Sequence, residues 1–449
     1  MNATSPLLTD LYQLNMIQAY LDRGETKVAA FELFFRKFPP CRNFLMTAGL
    51  GIALDFLEQL RFAETEIDWL RKTGRFGRDL LDYLAALRFE GDVHAMPEGT
   101  IFFADEPILR VVAPLPVAQL VETRLINILH FQTLIASKAA RMVLTAPGKL
   151  LVDFGLRRAH GAEAGLMAAR ASYIAGFAGT ATLLAETEFG IPVYGTMAHS
   201  FVQAYDDEAR SFEDFARSRP DKLTLLIDTY DTEAAARKVV ALAPQLKAAG
   251  IPIASVRLDS GDLAALSRSV RRILDDGGLR DTTIFASGGL DEYAIAELVQ
   301  AGAPIDGFGI GTSLATSSDA PALDCAYKLQ EYAGAARRKR SAGKATWPGR
   351  KQVWRRYDAE GHMGADVVSL EEGEPIGEPL LELVMSAGKR TAPRATLDRV
   401  RAVAARNLRS LPVALRRLDS APSYPVQIAD DLVQLAGDVD RRIARQGDT

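Results

Sequence analysis

"IASVRLDSGD", residues 253–262, is an apolar run that breaks into Arg257, Asp259, Ser260 and Asp262 within six residues. A run of this kind, ending in charge, reads as a buried strand whose C-terminal end opens into a polar loop. The same rhythm recurs in "LLVDFGLRRAHG" (150–161), "IPVYGTMAHS" (191–200), "LTLLIDTYDT" (223–232), "TIFASGGLD" (283–291) and "DGFGIGTS" (306–313), each followed by a helical pattern. Six strand-to-loop junctions alternating with helices imply a parallel sheet, and their number favours a (β/α) barrel over an open sheet. In barrels the chemistry sits at the carboxyl ends of the strands, where these polar residues cluster.

Outward from that core, a helical pattern from Pro116 to Met142 sets Val117, Val121, Leu125 and Ile128 in register. The barrel is therefore expected over residues 116–325. Residues 1–115 and 326–449 have another texture. The start reads as a helix with Ser5 as its cap, Pro6 in the first turn, Leu14, Ile17 and Leu21 on one stripe, and Gly24 as the stop. "AAFELFFRKFP" (29–39) reads as a strand, the stretch between Asp55 and Leu87 as several helices, and residues 90–115 as Pro-punctuated antiparallel hairpins. After Cys325, "YKLQEYAG" and "KQVWRRYD" look like strands returning to the first domain, and residues 396–419 like an amphipathic helix or two. The expected architecture is α/β: an irregular (β/α) barrel with parallel strands, plus an α+β domain formed from both chain ends.

Composition narrows the partners. The chain has 449 residues, 48% hydrophobic and 24% charged, with a formal net charge of −4, which places it in the globular class and gives no overall electrostatic case for nucleic acid or anionic membrane. The basic run "RRKRSAGK" (337–344) reads as a solvated hairpin loop. Cys41 and Cys325 lack metal or disulfide spacing, the N-terminus lacks a basic start, and no 18-residue apolar run occurs. These features lead us to expect a cytoplasmic protein acting on small molecules.

Four junctions carry candidate chemistry. Ser287, Gly288 and Gly289 at one strand end, and Gly311 and Thr312 at the next, would let backbone N–H groups and hydroxyls approach a phosphate. Either cluster alone reads first as a tight turn; together, in adjacent late junctions, they favour the anion. In "VRLDSGD", Arg257 can clamp a phosphate or carboxylate and the acids can hold Mg²⁺, or the charges can satisfy one another. Phe154, with Arg157 and Arg158, would suit a flat anionic heterocycle, although a core ring and a surface cation are the commoner explanation for either alone. A solitary histidine such as His199, one of five in the chain, is by default a packed or hydrogen-bonded one.

"TDLYQLNM", "DFGLRRAHG", "GTMAHS", "LIDTYDT", "VRLDSGD", "GIGTS" and "KATWPGRKQVWR", in this order and spread over nearly the whole chain, resemble the nicotinate phosphoribosyltransferase family. The resemblance implies a homodimer that joins nicotinate to phosphoribosyl pyrophosphate with Mg²⁺ and couples the reaction to ATP through a phosphorylated histidine. On the motif letters His199 matches that histidine. Tyr12 matches the aromatic that stacks on the pyridine ring from the neighbouring subunit, and Phe154 its partner on the opposite face. Arg157, Thr196 and Arg257 match residues around nicotinate, Asp259 an acid near the ribose and metal, and Ser287, Gly288, Gly289, Gly311 and Thr312 fall in the phosphate loops. Three rivals are weighed. A nicotinamide phosphoribosyltransferase would carry an Asp where "GTAT" has Ala181; a quinolinate enzyme is shorter and lacks the histidine; a non-catalytic barrel would have lost His199, Arg257 or Asp259, and all are present.

Overall fold

The strand read from "IASVRLDSGD" is Ile253–Leu258, and both neighbours run parallel to it. In this computed structural model, which describes residues 5–447, it belongs to a six-stranded sheet. The order is Gly179–Thr180, Leu150–Asp153, Gly307–Ile310, Thr283–Ser287, Ile253–Leu258, Leu223–Leu226, with every pairing parallel. Among the described residues the two outer strands do not pair with each other, so the barrel is irregular and open. Val256, Leu258, Ile284, Ala286, Phe308 and Ile310 are all buried, as expected for parallel strands covered by helices.

The crossover helices begin where the strand-end loops stop. Asp231, Asp262 and Asp291 cap the helices Thr232–Ala248, Leu263–Asp276 and Glu292–Gln300, each carboxylate accepting a hydrogen bond from a first-turn N–H. Asp262, grouped by sequence with the possible Mg²⁺ ligands, is thus a cap, its Oδ1 3.0 Å from the Ala265 N–H.

"IPVYGTMAHS" departs from the expected strand. Only Val193 enters the ladder, through one parallel bridge to Thr180, because Pro192 has no N–H to donate and Gly195 to Ala198 run on without regular structure. The strand at this place is instead the two-residue Gly179–Thr180, too short to stand out by periodicity.

This sheet lies in a unit spanning Lys138–Pro321; the second unit joins the segments before and after it. The divisions fall after Ser137 and Pro321 rather than at the expected residues 115 and 325, and the helix Glu122–Thr145 runs across the first of them. In the second unit, strand Val28–Phe35 pairs antiparallel with Cys325–Tyr332 on one side and Pro107–Pro114 on the other, so the two chain ends share one seven-stranded sheet. The ion pair of Lys351 with the buried Glu32, 2.8 Å, ties the same two ends. The first helix is Leu11–Arg23, which begins after Asp10 rather than Ser5 and without a side-chain cap hydrogen bond, and Gly24 ends it in the left-handed region as the sequence implies. No helix among the described residues is long and apolar enough to cross a membrane.

Candidate active site

Arg257 leaves the end of its strand 13% exposed, with three of its guanidinium nitrogens engaged. Nε donates to Ser287 Oγ at 2.9 Å, one terminal nitrogen to Thr196 Oγ1 at 3.1 Å and the other to Asp259 Oδ1 at 2.7 Å. Its cationic carbon lies 5.3 Å from the centre of the Phe154 ring. A guanidinium held from three sides cannot swing away, so cation and ring form a fixed pair. Parallel topology accounts for the meeting: Phe154, Ser287 and Arg257 lie at the carboxyl ends of strands of one parallel sheet, with Gly307–Ile310 between the strands that lead to Phe154 and Ser287, and Thr196 arrives from the irregular segment.

Two glycines make the approach possible. At Gly309 an added Cβ would stand 2.5 Å from the Phe154 ring, so the ring lies over the neighbouring strand only because that position is bare. Gly288 has φ +91°, and a Cβ there would meet the Asp259 carbonyl oxygen at 1.8 Å. The loop after Thr283–Ser287 is thereby drawn against Asp259.

Asp259 is half-buried. Burial raises its carboxyl, but the hydrogen bonds from Ser287 and Arg257, with the charge of Arg257 and the nearness of His199, outweigh it and hold the group below the usual carboxylate range. His199 opens the short helix His199–Gln203; its Nδ1 is 3.1 Å from Thr229 Oγ1 and its Nε2 is 3.9 Å from Asp259 Oδ2. Asp228 ties the next strand end in: its Oδ2 accepts from the Asp259 N–H at 2.9 Å and from Ser260 Oγ at 2.6 Å, while its buried Oδ1 has no hydrogen-bond partner among the described residues.

Of the residues expected from sequence, Phe154, Thr196, His199, Arg257, Asp259, Ser287 and Gly288 therefore meet in one network, and Gly289 follows in the same loop. Gly311 and Thr312 lie at the end of Gly307–Ile310, with Thr312 exposed. Arg157 is exposed on the turn Leu156–Arg158, outside that hydrogen-bond network. Tyr12 belongs to the other unit, 48% exposed on its first helix. Sequence reasoning passed over Asp228 and Thr229, although an acid directly after the apolar run of "LTLLIDTYDT" is the same signal that marked Asp259. It also passed over Asp153 and Thr180.

A parallel α/β sheet whose strand ends gather a fixed cation, an aromatic face, hydroxyls, carboxylates and an imidazole defines an enzyme of the barrel class that handles phosphorylated, anionic substrates. Family models described as the nicotinate phosphoribosyltransferase N-terminal domain, family and C-terminal domain match residues 7–130, 150–340 and 376–436. The chain is 50% identical to a nicotinate phosphoribosyltransferase of Mycobacterium tuberculosis, over 95% of this chain and 92% of that one. It is 36% identical to the Bacillus subtilis protein of that name, over 95% and 93%. The crystal structure of human nicotinic acid phosphoribosyltransferase superposes with a TM-score of 0.86 at 29% identity, covering 96% of this chain and 99% of that one. The chain belongs to the nicotinate phosphoribosyltransferase family.

Proposed function

We propose that this protein transfers the phosphoribosyl group of phosphoribosyl pyrophosphate to nicotinate in NAD salvage, giving nicotinate mononucleotide and pyrophosphate, and that ATP drives the reaction through a phosphorylated His199. The observation that carries the reading is the Arg257–Phe154 pair, a cation at 5.3 Å from a ring centre, which matches a flat heterocycle bearing a carboxylate. Ala181, exposed just past the strand Gly179–Thr180, presents no charge against that carboxylate. Membership of a family whose relatives carry the name of this activity along nearly their full lengths supports the same substrates.

In the transfer step the bond from the ribose anomeric carbon to pyrophosphate breaks as the pyridine nitrogen bonds to that carbon. Positioning supplies much of the catalysis, since ring and sugar must be aligned before the leaving group departs. Arg257 and Thr196 would hold the nicotinate carboxylate and Phe154 one ring face; Asp259 would face the ribose, where positive charge develops. Gly289, Gly311 and Thr312 would take phosphate oxygens.

The free Oδ1 of Asp228 and the Oδ2 of Asp259 fit Mg²⁺, a hard cation that prefers one or two carboxylates and completes its shell with phosphates and water. Bound there, Mg²⁺ would neutralise charge on the departing pyrophosphate. For ATP coupling, Thr229 orients the imidazole at Nδ1 and leaves Nε2 to attack the γ-phosphorus; the N–P bond forms as the bond to ADP oxygen breaks. We place the reaction in the cytoplasm, consistent with two cysteines, Cys41 and Cys325, that form no disulfide.

Purified protein assayed with nicotinate and with nicotinamide, with and without ATP, tests this reading. The acid is expected to be preferred and its turnover to be stimulated by ATP; γ-labelled ATP is expected to leave an acid-labile label that His199→Asn abolishes. Comparable kcat/KM for acid and amide would sink the substrate assignment. A label that persists in His199→Asn would move the phosphoryl acceptor elsewhere.

A further inference from the structure

Two junctions of the site meet at a side chain whose hydrogen-bond partners, Gly155 and Thr180, are not among the residues assigned to substrate. Asp153, the last residue of its strand, is fully buried. Its Oδ1 accepts from the Gly155 N–H at 2.8 Å and its Oδ2 from the Thr180 hydroxyl at 2.7 Å, so one carboxyl joins the turn that carries Phe154 to the adjacent strand end that carries Ala181. Thr180 is held on its other side as well. Its N–H donates to the Pro192 carbonyl at 3.1 Å, and the Tyr194 N–H donates to the Thr180 carbonyl at 2.9 Å. Tyr194 lies two residues before Thr196 and five before His199.

The segment from Gly195 to Ala198 lacks a ladder of its own. Its backbone attachment to the sheet runs through the two-residue strand Gly179–Thr180, and that strand is tied to its neighbour by two backbone pairings, at Val152↔Gly179 and Asp153↔Thr180, and by the Thr180 hydroxyl. Such a short strand has little intrinsic rigidity. A charge-assisted hydrogen bond donated to a buried carboxylate adds direction that two ladder pairs do not supply.

We propose that Thr180, through Asp153, is a positioning residue for the nicotinate subsite: the pair sets the separation between Phe154 and the Thr196 segment, and hence the fit of the ring against Arg257. This rests on the reading above that Phe154, Thr196 and Arg257 bind nicotinate.

Thr180→Val keeps the volume and removes the hydroxyl, whereas Thr180→Ser keeps the hydroxyl. With the full-length protein, Thr180→Val is expected to raise the nicotinate KM about tenfold, with kcat and the phosphoribosyl pyrophosphate KM within about twofold of wild type. Thr180→Ser is expected to restore the wild-type nicotinate KM. A nicotinate KM unchanged in Thr180→Val overturns the proposal, as do equal losses in Val and Ser, which would assign the effect to methyl packing. If Thr180→Val does not fold, Thr180→Ala serves in its place: it differs from Thr180→Ser by the hydroxyl alone, so it is expected to raise the nicotinate KM about tenfold over Thr180→Ser, and equal KM values for Ala and Ser overturn the proposal. The controls Phe154→Leu and Arg257→Gln separate the two failures. If neither raises the nicotinate KM, the subsite reading itself is wrong; if both do and Thr180→Val does not, only the positioning role falls.

Discussion

Asp153 has a second consequence at the scale of one residue, in how stability depends on pH. Burial raises its carboxyl to about 6, against the opposing hydrogen bonds from Thr180 and Gly155. A carboxyl raised on folding contributes stability that is fully present below its unfolded value and is lost as pH rises through its folded value. The window therefore runs from about pH 4 to about pH 6, and a shift of this size corresponds to roughly 3 kcal/mol across it. Asp153→Asn removes the titration. Its stability relative to wild type is expected to improve by about that amount between pH 4 and pH 7 in denaturant melts, and a difference that stays constant with pH would show that the buried carboxyl does not titrate there. Single residues were legible where a charge breaks an apolar run, as Arg257 and Asp259 do. They were illegible where the role depends on a neighbour distant in sequence: nothing in "LLVDFG" says that Asp153 turns inward to Thr180, 27 residues on.

Among the elements, strands that are apolar on both faces were readable because parallel sheets bury both faces, and Ile253–Leu258, Thr283–Ser287 and Gly307–Ile310 fall where the runs stand. "IPVYGTMAHS" misleads because its apolar start mimics a strand while Pro192 removes a ladder donor. This segment carries Thr196 and His199, so the imidazole proposed to accept phosphate sits on the least regular of the six junctions. Its backbone amides from Gly195 to Ala198 make no ladder bonds, whereas those of Ile253–Leu258 lie between two paired neighbours. Hydrogen exchange followed by mass spectrometry is expected to show the first set exchanging at least about a hundredfold faster than the second. Equal protection would mean that the segment is fixed by contacts other than backbone pairing.

For the whole molecule, the legible features were a barrel encoded between the two sequence segments of one α+β domain and a substrate class; the homodimer is an expectation of the family resemblance alone. Leu8, Leu11 and Tyr12 are 44%, 52% and 48% exposed near the start of the chain, a concentration of large apolar side chains on the unit that does not hold Arg257 and His199. If Tyr12 completes the nicotinate subsite of a neighbouring subunit, a chain lacking Tyr12 and a chain lacking Arg257 are each inactive as homodimers for different reasons. Mixed Tyr12→Ala and Arg257→Ala subunits then form heterodimers with two composite sites. One combines both substitutions and is dead, and the other has an intact Tyr12 from one chain and an intact Arg257 from its partner. Random exchange makes about half the dimers mixed, each with one working site of two, so activity is expected to recover to about one quarter of wild type. The fraction matters as well as the recovery. A site built from a single chain would give none beyond the unmixed controls once subunit exchange is verified by mass, and that result would place Tyr12 outside the neighbour's subsite.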